Sequence, residues 1–233
     1  MESNKYIFPD YDPDQQLIAV SKVIRQLVLC LEAEEKTFDN TDYSKINNGY
    51  RGDLYASDLC ELSFLNVAVS HSAIAVFAPY LESLFEYEIT ALQKNGRAGK
   101  YDHPRTQQSY FWDIQSYCDS NNRKQSGKAK GIFQILEALN ILKHFPEKTQ
   151  EMLEVIFLYR NYALHNGFEF KLEKREKFKN EIQKNDWNNY FLWATTDKKP
   201  HMISMKKEFI NECFTFCRLV KEGFEKEKGI FEL

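Results

Sequence analysis

Apolar residues recur at helical spacing along most of the chain. Leu17, Val20, Ile24, Leu27 and Leu31 fall three or four apart, which lines one face of a helix. Asp12 followed by Pro13 supplies an N-cap and a proline at the first helical position, so a first helix is expected from Pro13 to about Thr37. Residues 39–52 are rich in Asn, Asp, Gly and Ser and read as a loop. Asp58 with Glu61 has the form of a capping box that would open a second helix. That helix is expected to reach Asn95-Gly96, kinked or divided at Pro79, which lacks a backbone donor. Its first half is apolar nearly all round and must be enclosed by other helices or by a partner subunit. The most membrane-like window, residues 62–81, contains Asn66, Ser70, His71 and Ser72 and is bounded by Glu61 and Glu82. A core helix accounts for that better than a membrane span.

Residues 95–105 and 120–127 read as loops, with a short aromatic helix holding Tyr110, Phe111, Trp112 and Tyr117 between them. Ile132, Ile135, Leu136, Leu139 and Leu142 restore the helical period, which stops at Phe145-Pro146. Pro146-Glu147 opens another helix, ended by Asn166-Gly167, a pair suited to the left-handed cap. Residues 171–184 form a charged amphipathic stretch anchored by Leu172, Phe178 and Ile182. Residues 190–194 and 201–204 suggest one strand pair. A last helix, about 205–226, carries Phe209, Cys213, Phe216, Val220 and Phe224 on one side. The expected fold is all-α: a bundle of long antiparallel helices with one small β-hairpin near residues 190–204. A single domain would span 1–233, with the charged helix and hairpin inserted at about 168–204. No internal repeat is visible.

Composition supports an ordinary globular chain, with 43% hydrophobic and 28% charged residues. Nine Gly and six Pro in 233 residues leave little to interrupt long helices. A net charge of −3 argues against a surface coated in positive charge for unspecific nucleic-acid binding, but leaves room for a local basic patch. The five cysteines are scattered and odd in number, so reduced thiols are expected rather than a disulfide framework. Cys213 and Cys217 share a helical face, yet zinc would need two further ligands. No cofactor or metal is expected. The N-terminus, with Pro9, Asp10, Asp12 and Pro13, does not resemble a secretion signal, and a cytoplasmic protein without membrane attachment is the expectation. A phosphate-binding glycine loop, a His-Glu-x-x-His pair and a Gly-x-Ser-x-Gly elbow do not occur.

One stretch suggests chemistry. The expected helix ending at Asn166 is apolar on nearly every face and has Arg160, Asn161 and His165 set into it. Arg160 falls in line with Leu153, Ile156, Phe157 and Leu164. A guanidinium there must meet an acid, an anionic ligand or a wet cleft. Asn161 and His165 are four apart and share a face, where the amide could fix the imidazole's tautomer.

Here the chain resembles the HEPN superfamily, in which an Arg, often followed directly by Asn, precedes a His by four to six residues on a late helix of a bundle. The matching residues are Arg160-Asn161-x-x-x-His165. The resemblance implies a homodimer whose two motifs line one cleft and cut RNA without a metal. His165 would then be the general acid or base, Arg160 would stabilise charge on the phosphate, and Asn161 would orient them. It also implies toxin or phage-defence roles and a nucleotidyltransferase antitoxin as partner.

Other readings of these residues stand beside that one. Arg160 could salt-bridge a buried acid while His165 merely caps the helix C-terminus, leaving a non-catalytic interaction module. A second Arg-then-His spacing, Arg97 to His103, lies in a Gly-containing loop and lacks the Asn. Either Glu82 or Glu86 could pair with Arg160 or serve as a second polar catalytic group, with Glu86 taken into the candidate catalytic set; such residues more often form a solvated helix face. His71 reads as a core or interface histidine. Basic stretches at 94–105, 123–130 and 171–184 could hold phosphates, and Tyr101, Phe111 and Trp112 could stack on bases. The last of these runs is interleaved with Glu173, Glu176 and Glu181, as on a solvated helix.

Overall fold

The computed structural model describes residues 12–46, 50–168, 171–196 and 199–229. Residues 1–11, the middle of the expected loop at 39–52 and the turn of the expected hairpin lie outside them. The chain is predominantly helical: α1 (Pro13–Asn40), α2 (Arg51–Lys94), α3 (Lys128–Ala138), α4 (Thr149–Asn166), α5 (Leu172–Lys184) and α6 (Lys207–Gly229). Two antiparallel strand pairs accompany them, β1 (Ser116–Cys118) with β2 (Lys124–Ser126), and β3 (Phe191–Thr196) with β4 (Lys199–Met205).

Local chemistry explains several of these boundaries. Gln15 donates its backbone N–H to Asp12 Oδ1 at 3.0 Å, and Pro13 follows the cap, so α1 begins as the sequence suggests. Gly96 and Gly167 adopt φ of +71° and +67° just past α2 and α4, which glycine does without a Cβ penalty. The expected cap at Asp58 is corrected: α2 already starts at Arg51, and the Asp58 carboxylate accepts the Tyr43 hydroxyl at 2.8 Å instead. Pro79 does not divide α2. The most apolar 18-residue window of α2 is long and apolar enough to cross a membrane, and 39% of it is buried.

Two compact units make up the chain, one of residues 1–20, 79–151 and 216–233, the other of 21–78 and 152–215. In the first, Phe85, Phe145 and Phe224 form a buried cluster with ring centroids 4.9 to 6.4 Å apart. The buried Glu88 and Glu227 carboxylates meet Lys228 at 2.7 Å and Arg97 at 2.9 Å. Arg97 of the second Arg-then-His spacing is thereby placed, while His103 lies 3.5 Å from Glu137.

The expected aromatic helix around Tyr110 is also corrected. Its residues form a 3-10 turn (Pro104–Gln107), further turns and then β1. Arg105, fully buried, is the organiser. Its guanidinium donates to the carbonyls of Phe111 (2.9 Å), Ser116 (2.5 Å) and Asp113 (2.7 Å). Burial pulls its pKa down to about 10, so it stays charged at neutral pH. Gly131 of α3 passes so close that an added Cβ would stand 2.5 Å from the carbonyl oxygens of Ile114 and Ser116. The sheet edge and helix are thus held by a cation among carbonyls and by a missing side chain.

Replacing Arg105 by Met removes those donors while keeping an apolar stem. We expect a loss of about 2–4 kcal/mol, since buried carbonyls lose a charge-assisted bond, together with faster amide hydrogen exchange in β1 and β2. Unchanged urea midpoint and exchange would contradict this role for Arg105.

Candidate functional site

The sequence motif lies in the second unit, on α4. Leu153, Val155, Ile156 and Tyr159 are completely buried, and Tyr159 donates its hydroxyl to the Ile203 carbonyl at 3.1 Å. Its ring packs against Phe178 and Phe191 at 5.9 and 5.1 Å, and burial raises the phenol's pKa. The same region is tied by Ser70, whose hydroxyl accepts the Met205 N–H at 2.8 Å and donates to the Asn66 carbonyl at 2.7 Å. Strand β4 is thereby fixed against both α2 and α4.

With Tyr159 turned inward, helical geometry sets the direction of the motif side chains. At about 100° per residue, Asn161 and His165 lie about 200° and 240° round from Tyr159, and Arg160 only about 100°. Asn161 and His165 are accordingly exposed and Arg160 half-buried. The apolar line expected through Arg160 ends there, since Leu164 is 57% exposed.

Arg160 and Asn161 are in contact. The Asn161 amide oxygen accepts from Arg160 Nε at 3.3 Å and Nη2 at 3.2 Å, and the guanidinium lies 5.7 Å from the Phe157 ring centroid. His165 occupies the last turn, where Asn166 Nδ2 donates to the Tyr162 carbonyl at 2.8 Å before the chain reverses at Gly167. A cation is favoured at such a helix end. Arg160 and His165 remain about 140° apart around this regular helix.

No family model, curated protein or solved structure matches this chain. The geometry of the site therefore carries any functional reading by itself.

Glu86 is exposed in the first unit, lining a groove of about 490 Å³ with Ser83, Tyr87 and Lys94, so it is not part of the Arg160 unit. Glu82 pairs with Lys128 at 2.8 Å. In the motif's own unit, the cavity of about 570 Å³ is bounded by Cys30, Phe38, Asp58, Leu62 and Phe168, and one of about 550 Å³ by Leu59, Cys60, Trp193 and Met202. Among the described residues, neither is lined by Arg160, Asn161 or His165.

Phe168, just past the helix end, turns back to rest on His71 and Phe64, with centroids at 5.3 and 6.4 Å. His71, expected as a core or interface histidine, sits under the segment that leaves the motif. Desolvation lowers its pKa to about 4, and its Nε2 finds no hydrogen-bond partner among the described residues. Nothing in the sequence marks this contact, because Phe168 reaches His71 only once Gly167 reverses the chain.

The His71 shift fixes a sign. Between pH 6.5 and about 4 the unfolded chain binds a proton at His71 and the folded protein does not, so folding stability falls as pH drops through that window. Thermal melting should therefore decline less steeply between pH 6.5 and 4 in His71→Phe than in the parent. Parallel curves would rule out the buried neutral imidazole.

Proposed function

We propose that this protein acts on RNA as a metal-independent endoribonuclease of HEPN type, assembled from two copies of the chain. The observation that carries this reading is the Arg160–Asn161 pair, a guanidinium held by the neighbouring amide, on the same helix as a solvent-facing His165. An Arg steadied through two of its nitrogens is preorganised for a phosphate, because less side-chain freedom is lost when the anion binds.

In the proposed reaction an imidazole takes the proton of the ribose 2′-hydroxyl as that oxygen attacks phosphorus. The bond to the 5′-oxygen breaks, a protonated imidazole returns a proton to it, and a cyclic phosphate remains. Two imidazoles are needed in one turn of this cycle, and each chain contributes one His165. The angular gap between Arg160 and His165 leads to the same requirement, since within one copy they face different directions. A second copy would bring one chain's Arg160 opposite the other's His165. Exposed Leu164, Leu54, Tyr55 and Leu59 in this unit supply apolar surface for such an association. A toxin or phage-defence role, with a nucleotidyltransferase as antitoxin, accords with this reading.

The second reading is a non-catalytic interaction module. It is favoured by the Phe157 contact, which gives Arg160 a structural task, and by the absence of either cavity from the motif.

Purified wild-type protein should cut RNA in EDTA, and His165→Ala and Arg160→Ala should each lose about 100-fold or more of that rate, as removal of an acid-base or charge-stabilising group does. Wild type inert toward every RNA offered would sink the enzyme and leave the module. The same protein is expected to sediment as a dimer at micromolar concentration; a monomer that still cleaves would refute the composite site.

A further inference from the structure

From Ser120 to Leu136 the chain carries Arg123, Lys124, Lys128 and Lys130 and no Asp or Glu. In a protein of net charge −3 this run stands out, and the fold makes a surface of it. Asn122 takes φ of +59° to turn the chain, every residue of β2 is exposed, and the first turn of α3 comes at once after it. The carbonyls gripped by Arg105 hold this hairpin on a buried base.

Its cations lie over aromatic rings: Lys124 Nζ is 5.0 Å from the Tyr110 centroid and Lys130 Nζ 5.2 Å from that of Tyr117. Lys124 also meets Asp113 at 3.1 Å, and Lys128 meets Glu82. Among the described residues neither Arg123 nor Lys130 forms a salt bridge, although the Asp119 carboxyl, held low chiefly by the Arg123 backbone N–H, also feels the Arg123 charge. The acid at the base of the turn, Asp119, is occupied within it, accepting the N–H groups of Asn121 and Arg123 at 2.9 Å and the Gln125 amide at 3.1 Å. Asn121, Asn122, Gln125 and Ser126 add exposed polar groups.

We propose that the β1–β2 hairpin is a binding surface for single-stranded RNA, with Arg123, Lys124 and Lys130 on phosphates and the neighbouring amides on base edges. Amides and rings can use only unpaired, unstacked bases, which favours a single strand over a duplex. Residues 120–126 hold no apolar side chain to enter a bilayer, which disfavours a lipid surface. The inference rests on the RNA reading above but on different residues, in the other unit.

The test uses the full chain carrying His165→Ala, to prevent cleavage, and a fluorescein-labelled unstructured 20-nucleotide RNA titrated by anisotropy over a range of KCl. Adding Arg123→Gln, Lys124→Gln and Lys130→Gln should weaken binding at least tenfold at low salt. It should also flatten the log–log salt dependence by about 2, since each lost phosphate contact on a single strand removes about 0.7. Circular dichroism checks that the substituted chain folds. Unchanged affinity and slope would overturn the proposal, as would equal binding of poly-glutamate or anionic vesicles through the same three residues. Should wild type fail to cut RNA while the triple substitution abolishes binding, the nuclease reading falls and the hairpin stands. Should wild type cut RNA and the triple substitution leave binding intact, the reverse holds.

Discussion

The inward turn of Tyr159 fixes the phase of α4, and through it the exposure of Arg160, Asn161 and His165. A phenol buried to 0% exposure must have its hydroxyl bonded, and the Ile203 carbonyl takes it at 3.1 Å. An unmet hydroxyl there would cost about 1–3 kcal/mol, so α4 cannot rotate freely about its axis. Since β4 is also held by Ser70, helix and strand constrain each other. Asn161 and His165 face solvent as a result of burial elsewhere, with no interaction of their own required.

The long elements are legible in the sequence because their signals are local. Asp12-Pro13, Asn166-Gly167 and the apolar spacing of α1, α3 and α6 each act within a turn or two of chain. The hairpin of β3 and β4 is legible too, from its strand-like composition. The remainder is fixed at a distance. Tyr110, Phe111 and Trp112 carry no period that distinguishes helix from turns, and the conformation there is dictated by Arg105 reaching carbonyls six to eleven residues away. In sequence Arg105 is one more cation in a basic stretch, whereas in the fold it is a fully buried charge. Asp58 misleads for the opposite reason, since a sound capping pattern lies in a helix that has already begun at Arg51.

Of the candidate site, the Arg160–Asn161 hydrogen bonds do not follow from spacing, since adjacent residues on a helix do not face each other, whereas the shared face of Asn161 and His165 is a consequence of spacing alone. The half-burial of Arg160 is not, because it depends on where Tyr159 points. Nor is the support of the helix end by Phe168 on His71, which joins residues 97 positions apart in sequence. Desolvating an imidazole costs something unless it stays neutral, and the aromatic contacts around His71 are consistent with a position selected for packing.

The solvation of α2 is at odds with its composition. A helix apolar nearly all round should be enclosed, yet the structure buries only 39% of its most apolar window. Residues 51–66 contain no fully buried position, while Ala73, Ile74, Phe77 and Ala78 are sealed completely. The first turns of α2 therefore present Leu54, Tyr55 and Leu59 to solvent at 41% to 45% exposure. At about 25 cal/mol per Å² of apolar surface, covering even a few hundred Å² would contribute several kcal/mol to association, before the cost of immobilising two chains. The exposed apolar surface and the divergent Arg160 and His165 are independent observations, one about solvation and one about helix geometry. The proposed two-chain assembly draws on both.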